Sequence, residues 1–165
     1  MRLFKGKSIR VSDLTHTVEG QYDRVFEKEA TQVETYQFVQ DCIPNLLQGF
    51  NCTIFAYGQT GSGKTHTMFG EGIEISQQQV KKPESGRIAS SVDGLDLGRV
   101  GIIPRCVSEL FQQIKNQALK VTIYCSFLQI YNEKLYDLLQ DTYTKNPLQI
   151  REEKLQGIFV EGLSD

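Results

Sequence analysis

The chain has 165 residues, 39% hydrophobic and 23% charged, with a net charge of −2. That length and balance suit one globular domain with a real core and give no global sign of nucleic-acid binding, while leaving a local basic patch open. No stretch approaches a membrane span and residues 1–7 lack the apolar run of a signal peptide, so neither a nucleic acid nor a membrane is expected as partner.

Residues 1–30 read as short strands and turns, with 9–11 and 22–26 as the strand candidates. Thr31, Gln32, Val33 and Glu34 have the form of a capping box, in which the Thr hydroxyl takes the N3 amide and Glu34 reaches back. A helix should follow to about Gln48, ended by Gly49. Val33, Tyr36, Val39, Ile43, Leu46 and Leu47 repeat at helical spacing and form its core stripe. Pro44 removes the bond to the Gln40 carbonyl and predicts a kink or break there.

Residues 52–57, Cys-Thr-Ile-Phe-Ala-Tyr, read as a buried strand. It runs into Gly58, Gln59, Thr60, Gly61, Ser62, Gly63, Lys64 and Thr65, a complete phosphate-binding loop of the form G-x-x-x-x-G-K-[ST]. The glycines let the backbone turn tightly and bring its amides close to phosphate oxygens. Lys64 places a positive charge near the β- and γ-phosphates, and the Thr65 hydroxyl is placed to ligate Mg²⁺. Residues 66–69 suit a short helix stopped by Gly70, and its N-terminus adds the positive end of its dipole. A flexible Gly/Ser turn with an incidental Lys would not need this strand–turn–helix setting, and the glycines are not spaced as a dinucleotide fingerprint.

Residues 71–98 change character: no aromatic residue, much Gln, Ser and Gly, and Lys81-Lys82-Pro83 in the middle. They read as a long surface loop, mobile and regulatory rather than catalytic, with room for a small hairpin where Ile73 and Ile75 alternate. Order returns at Gly101, with Pro104 at the first position of a helix and Val107, Leu110, Phe111 and Ile114 at helical spacing. Residues 121–131 read as a long strand, apolar on both faces and therefore central. Residues 132–139 read as a short helix, and 148–150 with 158–160 as a hairpin around Gln156 and Gly157. There is no internal repeat and no heptad pattern.

Cys42, Cys52, Cys106 and Cys125 lie far apart without a C-x-x-C pair and read as buried free thiols. His16 and His66 are too isolated for a zinc site. Hydrolysis would need more than the loop: a strand-end acid to help hold Mg²⁺ and a γ-phosphate sensor to position water. No apolar strand ends in such an acid. Asp137 falls inside the expected helix, Asp13 follows a weak strand, Asp93 and Asp96 lie in the polar loop, and Glu133 reads as a surface turn. No catalytic residue is assigned.

These residues together resemble the kinesin motor domain. The likeness begins at Tyr22-Asp23-Arg24-Val25-Phe26 and continues through residues 49–68, including Phe55-Ala56-Tyr57 and the whole phosphate loop. It resumes at residues 101–105 and at 131–139, where Asn132-Glu133-Lys134-Leu135-Tyr136-Asp137-Leu138-Leu139 looks like a family signature. The resemblance implies an α/β, P-loop NTPase-like motor fold with a central mixed sheet flanked by helices. Residues 1–165 would form a partial motor domain, with 71–98 as a long loop insertion, and the first strand and C-terminal half would lie outside it. It also implies ATP and Mg²⁺ as cofactors, the microtubule as partner, and a cytoplasmic, cytoskeletal location. His66 matches a position beside the adenine ring. Residues 151–157 match a loop facing tubulin, which makes Arg151 and Lys154 candidate contacts to an acidic surface. With Glu152 and Glu153 beside them, a solvated hairpin face is the equally weighted plainer reading.

The family's two switch motifs are not in the sequence, so this chain alone is expected to bind nucleotide weakly, to lack hydrolysis and to expose apolar sheet edges. The alternatives are a truncated, non-catalytic module that docks on tubulin or a partner, and an unrelated P-loop phosphotransferase. The latter should carry a substrate pocket and an Arg-rich lid, which are not evident.

Overall fold

A computed structural model describes residues 2–4, 7–12, 14–71, 98–140, 147–154 and 157–165. The long loop, its small hairpin, Asp13, Asp93, Asp96 and Gln156 thus fall wholly or almost wholly outside the described residues. The chain divides into two compact units, with Ala118 closing the described part of the first and Leu119 opening that of the second.

The first unit begins with an antiparallel meander of β1 (Arg2–Phe4), β2 (Ser8–Ser12) and β3 (Thr17–Gln21). The strand expected at 9–11 is the middle of β2, but β3 was not anticipated. Its register sets Arg10 directly opposite Glu19, where the guanidinium donates to the carboxylate at 2.7 Å, and Ser12 opposite Thr17, hydroxyl to hydroxyl at 3.0 Å. Such cross-strand pairs compensate for Val11 and Val18, a facing pair that stays exposed. Residues 22–26 are not a strand. Among the described residues only the Tyr22 amide continues the pairing, donating to Lys7 O at 2.7 Å. Phe26 is then held by side chains instead, edge-on to Phe38 at 6.1 Å with the Arg24 guanidinium 5.6 Å over its ring.

The capping box forms in full at α1 (Gln32–Gln37). The helix does not run to Gln48. It stops after one and a half turns and restarts as α2 (Cys42–Leu47). The break falls upstream of Pro44, which sits in the first turn of α2, where its missing N–H is no loss. Tyr36 and Ile43 are buried, at 8% and 5% exposure.

α3 (Lys64–Phe69) and α4 (Ile102–Asn116) complete this unit. Pro104 is the third residue of α4 rather than the first. Its apolar stripe is only partly covered: Leu110 and Ile114 are half-buried, while Val107 and Phe111 are exposed. An isolated Gly70–Val100 bridge brings the end of α3 against the start of α4, reinforced by Gly101 N donating to Phe69 O at 2.9 Å. Gly70 is required there. Its φ is +90°, and a Cβ would lie 2.3 Å from Arg99 O.

Residues 51–58 correct the expectation of a buried strand. They alternate as a strand does, with Ile54 and Ala56 turned inward and Phe55 and Tyr57 exposed, yet no described residue pairs with them in a ladder. Residues 119–127, at the start of the second unit, likewise have no described ladder partner but do not alternate: all are exposed, Val121, Ile123 and Tyr124 among them. Of the long strand expected over 121–131, only β4 (Leu128–Tyr131) forms.

The expected helix over 132–139 is instead β5 (Lys134–Asp137), the return strand of a hairpin with β4. Asn132 and Glu133 take positive φ, 49° and 60°, between the paired residues Tyr131 and Lys134. A two-residue turn of that kind reverses the chain at once, which no helix can accommodate. β6 (Gln149–Glu153) and β7 (Gly157–Glu161) form the hairpin read from the sequence. A Leu135–Leu148 bridge links the two hairpins.

Candidate phosphate-binding site

The site is built by the chain's own punctuation. Residues 51–58 arrive extended. Gly61 and Gly63 then take φ of 80° and 91°, and α3 starts at Lys64. Gly63 is left-handed, so it supplies the turn without a side chain to cap the helix. The N-cap position therefore supplies no side-chain acceptor to the first-turn amides of α3. A ring of backbone donors at a loop-to-helix junction is the donor set that an anionic phosphate fits.

Lys64 folds back over the loop. Its Nζ donates to Gly58 O at 2.9 Å and Gln59 O at 2.8 Å. These carbonyls hold the ammonium at the loop mouth in advance of any phosphate. Ser62 N donates to Gln59 O at 3.2 Å and Thr67 N to Gly63 O at 2.8 Å, which closes the loop onto the helix. Thr65 follows in the first turn, the position from which a hydroxyl can reach a cation bound to phosphate. No group of three or more His, Cys, Asp or Glu side chains able to hold a metal occurs among the described residues. Thr65 is the residue of this loop whose hydroxyl could take part in holding a magnesium ion beside phosphate oxygens.

His66 is tied down by Gln32, a residue that no sequence motif singles out. Gln32, buried at 9% exposure, donates its amide to His66 O at 2.7 Å and approaches the imidazole Nδ1 at 3.1 Å. A polar side chain just inside a capping box usually faces water, so its burial depends on α3 arriving alongside. On its other side, His66 Nε2 lies 3.8 Å from Glu71, whose second oxygen pairs with Arg99 at 3.1 Å. Glu71 N also donates to Arg99 O at 2.9 Å. Glu71 and Arg99 thus stand at the base of the long loop, next to the phosphate loop.

Residues 58–66 are brought together as one loop and helix start. Arg151 and Lys154 belong to the second unit. Arg151 is exposed but engaged, its Nε donating to Glu161 at 2.9 Å across the β6–β7 hairpin. Lys154 is exposed in the turn after β6. Asp137, read from the sequence inside a helix, ends β5, and both its oxygens are taken: one by Leu139 N and the other by Ser164 N, each at 2.8 Å. The Ser164 amide, followed by that of Leu139, holds its carboxyl below the usual carboxylate range. A separate cleft of about 570 Å³ is lined by Lys7 and Arg24 but also by Asp23, Glu27, Glu29 and Glu34, an acidic balance unsuited to a triphosphate.

Comparison with known proteins gives concordant findings. The family model for the kinesin motor domain matches residues 5–165. Kinesin-related protein 5 of Dictyostelium discoideum is 42% identical over 147 residues, which is 87% of this chain and 13% of that protein. Kinesin-like protein Klp61F of Drosophila melanogaster is 38% identical over 146 residues, 87% of this chain and 12% of that protein. A solved structure of a fast kinesin, described for its ATPase mechanism and interactions with microtubules, superposes with a TM-score of 0.72 at 28% identity. That match covers 98% of this chain and 40% of the solved one. The chain thus spans a small part of the length of the curated relatives it matches.

Proposed function

We propose, since the chain belongs to the kinesin motor domain family, that it is the ATP-binding part of a motor that couples ATP hydrolysis to movement along microtubules. The observation that carries this reading is the phosphate loop itself, with Lys64 held over it by Gly58 and Gln59 and with uncapped amides at the start of α3. Lys64 would hold the β- and γ-phosphates of ATP, and the Thr65 hydroxyl would help hold Mg²⁺, which would neutralise phosphate charge there. His66 flanks the base. A place on the cytoskeleton follows from the same reading, with Arg151 and Lys154 as candidate tubulin contacts.

The chain by itself holds nucleotide without turning it over. A phosphate loop supplies the cradle, whereas hydrolysis also needs an acid near the metal and a group that positions water. Asp137, the one described strand-end Asp, commits both oxygens to backbone amides. Measuring ATP turnover with and without microtubules tests this. Binding without turnover is the expected result, and microtubule-stimulated turnover by this chain would overturn it.

A further inference from the structure

Three thiols gather around the approach to the phosphate loop. Cys42 opens α2, Cys106 lies in α4, and Cys52 heads the extended segment that runs into Gly58. The Cys52 thiol is exposed and points at α2, its Sγ 3.3 Å from the Cys42 carbonyl oxygen and 3.9 Å from Phe50 O. Cys42 is half-buried. Burial pushes its thiol up, and the neighbouring Cys52 thiol adds to that. Burial likewise raises Cys106, with Cys42 as the next cause.

We propose that Cys42 and Cys52 form a reversible dithiol–disulfide pair that fastens the start of α2 to the segment feeding the phosphate loop. The Cys52 sulfur already lies at the Cys42 carbonyl and the two thiols interact directly, the proximity from which a disulfide can close. The two differ in the way such a pair needs. Cys52 is open to solvent and meets the oxidant, while Cys42 is sheltered and resolves.

With hydrogen peroxide as oxidant, the Cys52 thiolate attacks one peroxide oxygen. An S–O bond forms, the O–O bond breaks, and the departing hydroxide takes a proton to leave as water. The Cys42 thiolate then attacks the Cys52 sulfur. The S–S bond forms, the S–O bond breaks, and a second water leaves. Two thiols are oxidised by two electrons and one peroxide is reduced to two waters. A dithiol reductant reverses the bond. Because the Cys42 thiol is held protonated by its surroundings, the second step accelerates as pH rises.

The bond would close a short loop over residues 42–52 and remove freedom from the chain entering the phosphate loop.

The test is non-reducing peptide mapping by mass spectrometry after peroxide treatment of the protein. The expected product is a peptide pair joined through Cys42 and Cys52, with loss of two hydrogens, cleaved by dithiothreitol. Cys52→Ser should abolish it completely, and Cys106→Ser should leave its yield unchanged. A Cys42–Cys106 link would overturn the proposal. So would Cys52 proceeding to sulfinic acid while Cys42 stays reduced.

Discussion

Thr31 and Glu34 each satisfy a backbone amide that α1 cannot satisfy for itself, Thr31 accepting from Glu34 N at 3.2 Å and Glu34 from Thr31 N at 2.8 Å. Thr31→Ala is expected to lower stability by about 1 kcal/mol in urea unfolding. The Thr31 amide, and then its hydroxyl, hold the Glu34 carboxyl below its ordinary value. A depressed folded-state pKa means a contribution that is complete above the unfolded value and disappears as pH falls through the folded one. Glu34→Gln should therefore flatten the acid limb of the stability curve.

Tyr36 has the opposite sign. Burial first, then the hydrogen bond it donates to Glu109, raises its phenol far above the usual range. Its contribution is complete below the unfolded value of about 10 and is lost as pH climbs beyond it. Tyr36→Phe should cost about 1–2 kcal/mol at neutral pH, because the half-buried Glu109 carboxylate loses its donor. That deficit should shrink in alkali, which stability curves at neutral and high pH would show.

Among the elements, those encoded locally were legible in the sequence. The capping box, the phosphate loop, the short α3 ended by Gly70 and the β6–β7 hairpin each follow from a handful of neighbouring residues. Elements whose periodicity competes with a turn formed by non-glycine residues were not. Leu135, Leu138 and Leu139 fit helical spacing, yet two positive φ values at Asn132 and Glu133 turn the chain into a hairpin. Glu133 pays a steric penalty there that glycine does not, so Glu133→Gly should raise stability by about 1 kcal/mol in thermal unfolding. The Gly70–Val100 bridge has no such tolerance. A Cβ on Gly70 meets Arg99 O at 2.3 Å, and Gly70→Ala should cost about 3 kcal/mol through that clash and its positive φ.

Over the whole molecule, dependence on partners decides behaviour. Residues 51–58 and 119–127 carry strand-like, apolar sequence without a described ladder partner, and Phe55, Tyr57 and Tyr124 are exposed at 80%, 94% and 72%. Sequence alone marks these segments as sheet interior, because periodicity reports what a segment is suited to bury and not whether a neighbour is there to cover it. Unpaired edges beside large exposed aromatics favour self-association. At micromolar concentration the isolated chain should elute in gel filtration larger than a monomer, and a sharp monomer peak would count against this.

The phosphate loop carries the account, and a calorimetric titration of the chain with Mg·ATP tests it most directly. Saturable binding is expected, weakened at least about tenfold by Lys64→Ala, the loss that follows when one charge-assisted contact to phosphate is removed. Binding that is unchanged by Lys64→Ala, or no binding by a chain shown to be folded, would contradict it.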